Sequence, residues 1–74
     1  MTDLANKLLE DIKAEYQNRL DNGKTKEQSI AFNNQLFIEK YHYDATTLTF
    51  ALDELNDYGY IVKWIVPGFE FVVD

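Results

Sequence analysis

The chain has no cysteine, so it offers neither a disulfide framework nor a thiolate zinc site, and a reducing, cytoplasmic setting is expected. One proline and three glycines are too few for a collagen-like or low-complexity chain. No segment approaches the roughly eighteen apolar residues of a membrane span, and Met1–Lys7 lacks the basic-then-apolar order of a leader. No membrane partner is expected. A single histidine and the lack of a glycine-rich loop deny nucleophilic catalysis its usual parts, and neither GxxxxGK[ST] nor GxGxxG occurs. Neither enzymatic activity nor a cofactor is expected. Glu39-x-x-His42 has a spacing that helices use for metal ligation, but two ligands do not close a zinc site, and no metal is expected.

Positive charge is also scarce. Seven Lys and Arg stand against thirteen Asp and Glu, for a net charge of −6. The imbalance grows toward the C-terminal end, where residues 44–74 hold six acids and one base, Lys63. Nucleic acid and anionic membranes repel such a surface, whereas a basic protein would be attracted to it; the acid also favours solubility.

What is present suffices for one small core. The 74 residues are 46% hydrophobic, which argues for a single folded domain over residues 1–74, near the size where one core is only marginally sufficient. Leu4, Leu8, Ile12, Tyr16 and Leu20 recur every fourth residue and predict a helix over 3–21, begun by Thr2 as N-cap and ended at Asn22-Gly23. At about 1.5 Å per residue it would be roughly 29 Å long, against an expected radius of gyration of about 11 Å. That length leaves one end free to project or to pair with a second copy in a homodimer. Thr25 and Gln28 have the spacing of a capping box and predict a second helix running to about Lys40, with Ile30, Phe37 and Tyr41 on one side.

The third helix, 45–57, is the best marked. Leu48, Ala51, Leu52 and Leu55 form one apolar stripe, Asp44 is placed to accept the Thr47 N–H, and Tyr43 and Leu48 hold the positions of a hydrophobic staple. Gly59 is expected to take a positive φ just past its end, with Tyr60 folding back on Leu55. Beyond it the period changes to two. Tyr60–Val66 and Phe69–Val73 predict a β-hairpin turning at Pro67-Gly68, with Val66 opposite Phe69, Trp64 opposite Phe71 and Val62 opposite Val73. The buried set is then Leu48, Leu52, Leu55, Val62, Trp64 and Phe71. Ile61, Lys63, Ile65, Glu70, Val72 and Asp74 line the other face, with Lys63 diagonal to both acids.

The expected class is therefore α+β, three helices followed by a C-terminal antiparallel hairpin. This order, with the run Ala51-Leu52-Asp53-Glu54-Leu55-Asn56-Asp57-Tyr58-Gly59-Tyr60-Ile61 leading into the hairpin, resembles a winged helix-turn-helix domain over residues 25–73. The resemblance implies that residues 45–57 correspond to a recognition helix and that Thr46, Thr49, Phe50 and Asp53 point outward. The chain departs from the family in its charge. Phosphate contacts come chiefly from Lys and Arg, and this helix has none, while Asp44, Asp53, Glu54 and Asp57 would lie near phosphates. Lys24, Lys26 and Lys40 around the second helix are a thin footprint for DNA.

Two functions follow as expectations. The first is an acidic protein-interaction module, binding and inhibiting a basic, nucleic-acid-binding protein by presenting carboxylates where phosphates would lie. The alternative, carried by the resemblance, is a DNA-binding transcriptional regulator. The candidate partner-binding residues are Thr46, Thr49, Phe50, Asp53, Glu54, Asp57, Lys63 and Glu70. Phe50 lies outside the Leu48-Leu52-Leu55 stripe, so it is either an exposed anchor or tucked under the hairpin or the preceding turn. Trp64 and Phe71 alternate along strands, which favours core over a base-stacking platform. Tyr41, Tyr43, Tyr58 and Tyr60 are expected to clamp the ends of the third helix.

Overall fold

A computed structural model describes residues 1–65 and 67–72, with the side chains of residues 62–65 excepted. The elements run α1 (Asp3–Asp21), α2 (Lys26–Ser29), β1 (Ala31–Asn33), α3 (Asn34–Lys40), α4 (Ala45–Asp57), β2 (Ile61–Ile65) and β3 (Gly68–Phe71). The fold is α+β, mostly helical, with an antiparallel pair of strands at its C-terminal end. Its radius of gyration is 11.4 Å.

Local chemistry sets both ends of the two long helices. The Thr2 hydroxyl accepts the Ala5 N–H at 3.2 Å, and Asp44 accepts the Thr47 N–H at 3.2 Å, each satisfying a donor that the first helical turn leaves free. At the other ends the chain reverses through glycine. Gly23 has φ 87° and Gly59 φ 86°, and in each case the next residue's N–H returns to the helix: Lys24 to Arg19 O at 3.1 Å, Tyr60 to Leu55 O at 2.9 Å. These are Schellman closures.

Residues 26–40 do not form the single second helix that the capping box predicts. The Thr25–Gln28 box is made in both directions, yet the helix it opens ends at Ser29, whose hydroxyl donates back to Thr25 O at 2.7 Å. Ala31–Asn33 are extended and pair with β3, and Asn33 then caps α3 by accepting the Gln35 N–H at 2.9 Å. A helix through this stretch would keep Phe32 out of the core. As a strand it stacks on Phe69 at 5.5 Å and lies 5.7 Å from Phe37. Tertiary pairing overrides local propensity here.

The expected hairpin is consequently part of a three-stranded sheet in the order β1-β3-β2, with both pairs antiparallel. Its register also differs from the expectation. Trp64 lies opposite Phe69 rather than Phe71, Lys63 lies directly opposite Glu70 rather than diagonal to it, and Gly68 belongs to β3, opposite Ile65, rather than to the turn. An irregularity between Ile61 and Lys63 shifts the alternation, so Ile61 faces Phe71 and is buried, not turned to water. The expected burial of Val62 and Trp64, and the pairings of Val66 and Val73, lie outside the described residues.

The core joins Ala5, Leu8, Leu9 and Ile12 of α1 to Leu48, Ala51, Leu52 and Leu55 of α4, and closes over Phe32, Phe37, Phe69 and Phe71. Leu48, Leu52, Leu55 and Phe71 are buried as the apolar stripe and strand alternation predict, and the staple residue Tyr43 is buried with them.

Candidate functional site

The outward face of α4 is built by exclusion: its apolar stripe is spent on the core, and what remains points to solvent. Thr46, Thr49, Phe50, Asp53 and Asp57 are all exposed, and their spacing of three, four and seven residues puts them on neighbouring turns of one side. Phe50 is 68% exposed, so it is tucked under neither the hairpin nor the turn. Thr49 satisfies its hydroxyl by donating to Ala45 O at 3.0 Å. No Lys or Arg occurs anywhere in α4.

Glu54 stands slightly apart from this group. Its Oε2 accepts the Thr2 backbone N–H at 2.6 Å and lies 3.4 Å from the Thr2 hydroxyl, tying the start of α1 to the last turn of α4. Glu70 is half-buried and opposite Lys63 in the sheet; the Lys63 side chain lies outside the described residues. The sheet residues are on different elements from Thr46, Thr49, Phe50, Asp53 and Asp57, and no hydrogen bond among the described residues links the two groups.

A polar seam holds α4 in place from behind. Lys7, Asp11, Glu15 and Arg19 recur every fourth residue along α1, and that spacing was the signal for it in the sequence. Tyr43 donates to Asp11 at 2.7 Å, and Lys7 bonds both Asp11 at 3.0 Å and the Tyr43 hydroxyl at 3.2 Å. Glu15, only 5% exposed, accepts from the Lys40 ammonium and from the Tyr41 hydroxyl, the latter at 2.8 Å. Arg19 donates to Ala31 O at 2.5 Å and lies 4.4 Å from the Phe32 ring. Tyr41 and Tyr43 thus anchor the α3–α4 turn to α1, whereas Tyr58 clamps nothing and is 61% exposed. Within that turn His42 takes φ 61°, a left-handed conformation that a non-glycine residue adopts only where the surroundings hold it.

The seam makes stability depend on acid. Burial pushes the Glu15 carboxyl up, but hydrogen bonds from Lys40 and Tyr41, with the charges of Lys40 and Arg19, outweigh this and hold it below its ordinary value. Burial and the bond to Glu15 in turn push the Tyr41 phenol up to about 12. A carboxyl depressed in the folded state contributes stability that is present above the unfolded value and lost as pH falls through the folded one. Glu15→Gln is expected to cost about 1–3 kcal/mol at neutral pH and to flatten the acid limb of a urea-midpoint-versus-pH curve. An unchanged acid limb would show that Glu15 is not ionised within the seam.

Other features gather no chemistry. Among the described residues no three His, Cys, Asp or Glu side chains approach as metal ligands, and Glu39 and His42 are both exposed. Among the described residues no helix is long and apolar enough to cross a membrane. An open depression of about 490 Å³ lies against β1, Pro67 and the start of β3, with Glu70 the ionisable group among the described residues of its lining. Of the basic residues, Lys7 and Lys40 are ion-paired and Arg19 is committed to β1. No known protein family, curated protein or solved structure matches the chain.

Proposed function

We propose that this chain is a small, acidic, non-enzymatic protein-interaction module on a winged-helix-like scaffold, acting in the cytoplasm. Through the outward face of α4 it binds and inhibits a basic, nucleic-acid-binding protein. The scaffold reading is supported by α3, a short turn and α4 leading into the β2–β3 hairpin, with β1 closing on that hairpin. The observation that carries the functional reading is the exposure of Phe50 among Thr46, Thr49, Asp53 and Asp57 on a helix without a basic residue. A large aromatic ringed by short polar and acidic side chains has the make-up of an interface anchor with an electrostatic rim. Carboxylates spaced along a helix can occupy positions that phosphates hold on a nucleic acid. The DNA-regulator alternative loses support from Lys40, which is paired with Glu15 rather than free for phosphate.

The test is kinetic. With the partner retained by the parent chain from a lysate, Asp53→Asn with Asp57→Asn is expected to slow association and flatten its salt dependence, while Phe50→Ala mainly speeds dissociation, by about tenfold or more. Anisotropy against a mixed-sequence duplex is expected to show no binding at physiological salt. Tight, specific binding to a defined duplex would overturn the reading in favour of a regulator.

A further inference from the structure

Three large apolar side chains are exposed among the described residues, Met1 at 37%, Phe50 at 68% and Tyr58 at 61%. Each is tied to Glu54, two by their spacing along the helix and one through the backbone bond of its neighbour. Phe50 stands one helical turn before Glu54 and Tyr58, the C-cap of α4, one turn after it, so each neighbours Glu54, at roughly 80° to one another around the axis. Thr2 donates its backbone N–H to Glu54 Oε2 at 2.6 Å, which holds the adjoining Met1 backbone beside that carboxylate. Single exposed apolar residues need no explanation, but several converging on one point mark an interaction surface. Asp3, Asp53 and Asp57, all exposed, border the group.

We propose that Met1, Phe50 and Tyr58 form one docking surface for an amphipathic, cationic helix of a partner protein. Glu54 acts as a positioning residue that draws the start of α1 onto α4. The inference rests on the reading above, that this side of α4 binds a basic protein, and adds the form of the occupant and the second edge of the site. Phe50 and Tyr58 are eight residues apart, about 12 Å along the axis, a span that two turns of an apolar helical stripe would cover. The acidic border selects positive flanks on that helix. It also selects against a second copy of this chain, because a two-fold contact would set Asp3, Asp53 and Asp57 against their own images. Anionic lipid and nucleic acid are disfavoured for the same reason.

The probe is a labelled eighteen-residue amphipathic peptide of Leu and Lys (about five turns), with a Leu and Glu peptide of the same pattern as control, titrated by anisotropy at physiological salt. The Leu-Lys peptide is expected to bind and the Leu-Glu peptide not. Phe50→Ala and Tyr58→Ala should each weaken binding by about tenfold, with unaltered circular dichroism. Met1→Ala, in a chain made by chemical synthesis, should weaken binding in the parent but have no further effect beside Glu54→Gln, since the carboxylate is what brings Met1 to the site. If Phe50→Ala weakens binding while Tyr58→Ala and Met1→Ala do not, the three-residue surface is overturned and the α4 face survives. If both peptides bind alike, or Phe50→Ala has no effect, both readings fall.

Discussion

Replacing Leu52 by alanine is expected to remove about 2–5 kcal/mol of stability, which for a domain of this size is most of what it has. Leu52 is fully buried within one apolar cluster that also holds Leu8 and Ile12 of α1 and Leu48 and Leu55 of its own helix. Truncation there loses the transfer free energy of the missing atoms and leaves a cavity whose collapse is resisted by the Tyr43–Asp11 bond just before α4 and the Thr2–Glu54 bond near its end. The check is a urea or thermal melt: the variant should be largely unfolded near physiological temperature. A melting temperature within a few degrees of the parent would mean that Leu52 is not core and that the register of α4 is wrong.

Gly68→Ala should be nearly as damaging for a different reason. Gly68 is in β3, and a Cβ built on it would lie 2.3 Å from the backbone oxygen of Phe32 and 3.3 Å from its carbonyl carbon. Those atoms belong to β1 and cannot swing aside as a side chain could. Either β1 withdraws or β3 shifts, and both disturb the stack in which Phe37 lies 5.9 Å from Phe69. Overpacking of this kind costs about 1–3 kcal/mol and sometimes more. The expected signature is specific: the Phe71 N–H, bonded to Ile30 O at 2.9 Å, and the Asn34 N–H, bonded to Pro67 O at 2.8 Å, should lose protection from hydrogen exchange before the amides of α1. Unchanged protection would rule out the close approach of β1 to β3.

How legible these features were depended on how local their causes are. α1 and α4 could be read in full, since periodicity, caps and glycine stops all lie within a few residues of the helices they define. The division of residues 26–40 could not, although Asn33-Asn34 interrupts the apolar pattern there. What makes Ala31–Asn33 a strand is β3, more than thirty residues away in register, and pairing over that distance leaves little trace in local propensity. The hairpin register failed because Gly68, expected in the turn, pairs with Ile65 instead, which displaces each pair from the expected one, and the irregularity between Ile61 and Lys63 then brings Ile61 opposite Phe71. At the candidate site, the residues facing outward from α4 followed from the stripe they do not share, but whether Phe50 is covered turned on the course of the sheet. The Thr2–Glu54 contact joins positions 52 residues apart, and nothing in the spacing of either residue announces it.

The strand order has a consequence for how the chain assembles. β3 is the middle strand of the sheet and follows both of its neighbours in sequence. As a nascent chain lengthens from its N-terminus, at about 5–20 residues per second, α1 and α4 can dock while β1 and β2 still lack the strand between them. Phe32 and Ile61 stay uncovered for that interval. Loop closure over the stretch from β1 to β3 then favours a single late event, in which one strand slides between two that never bond to each other.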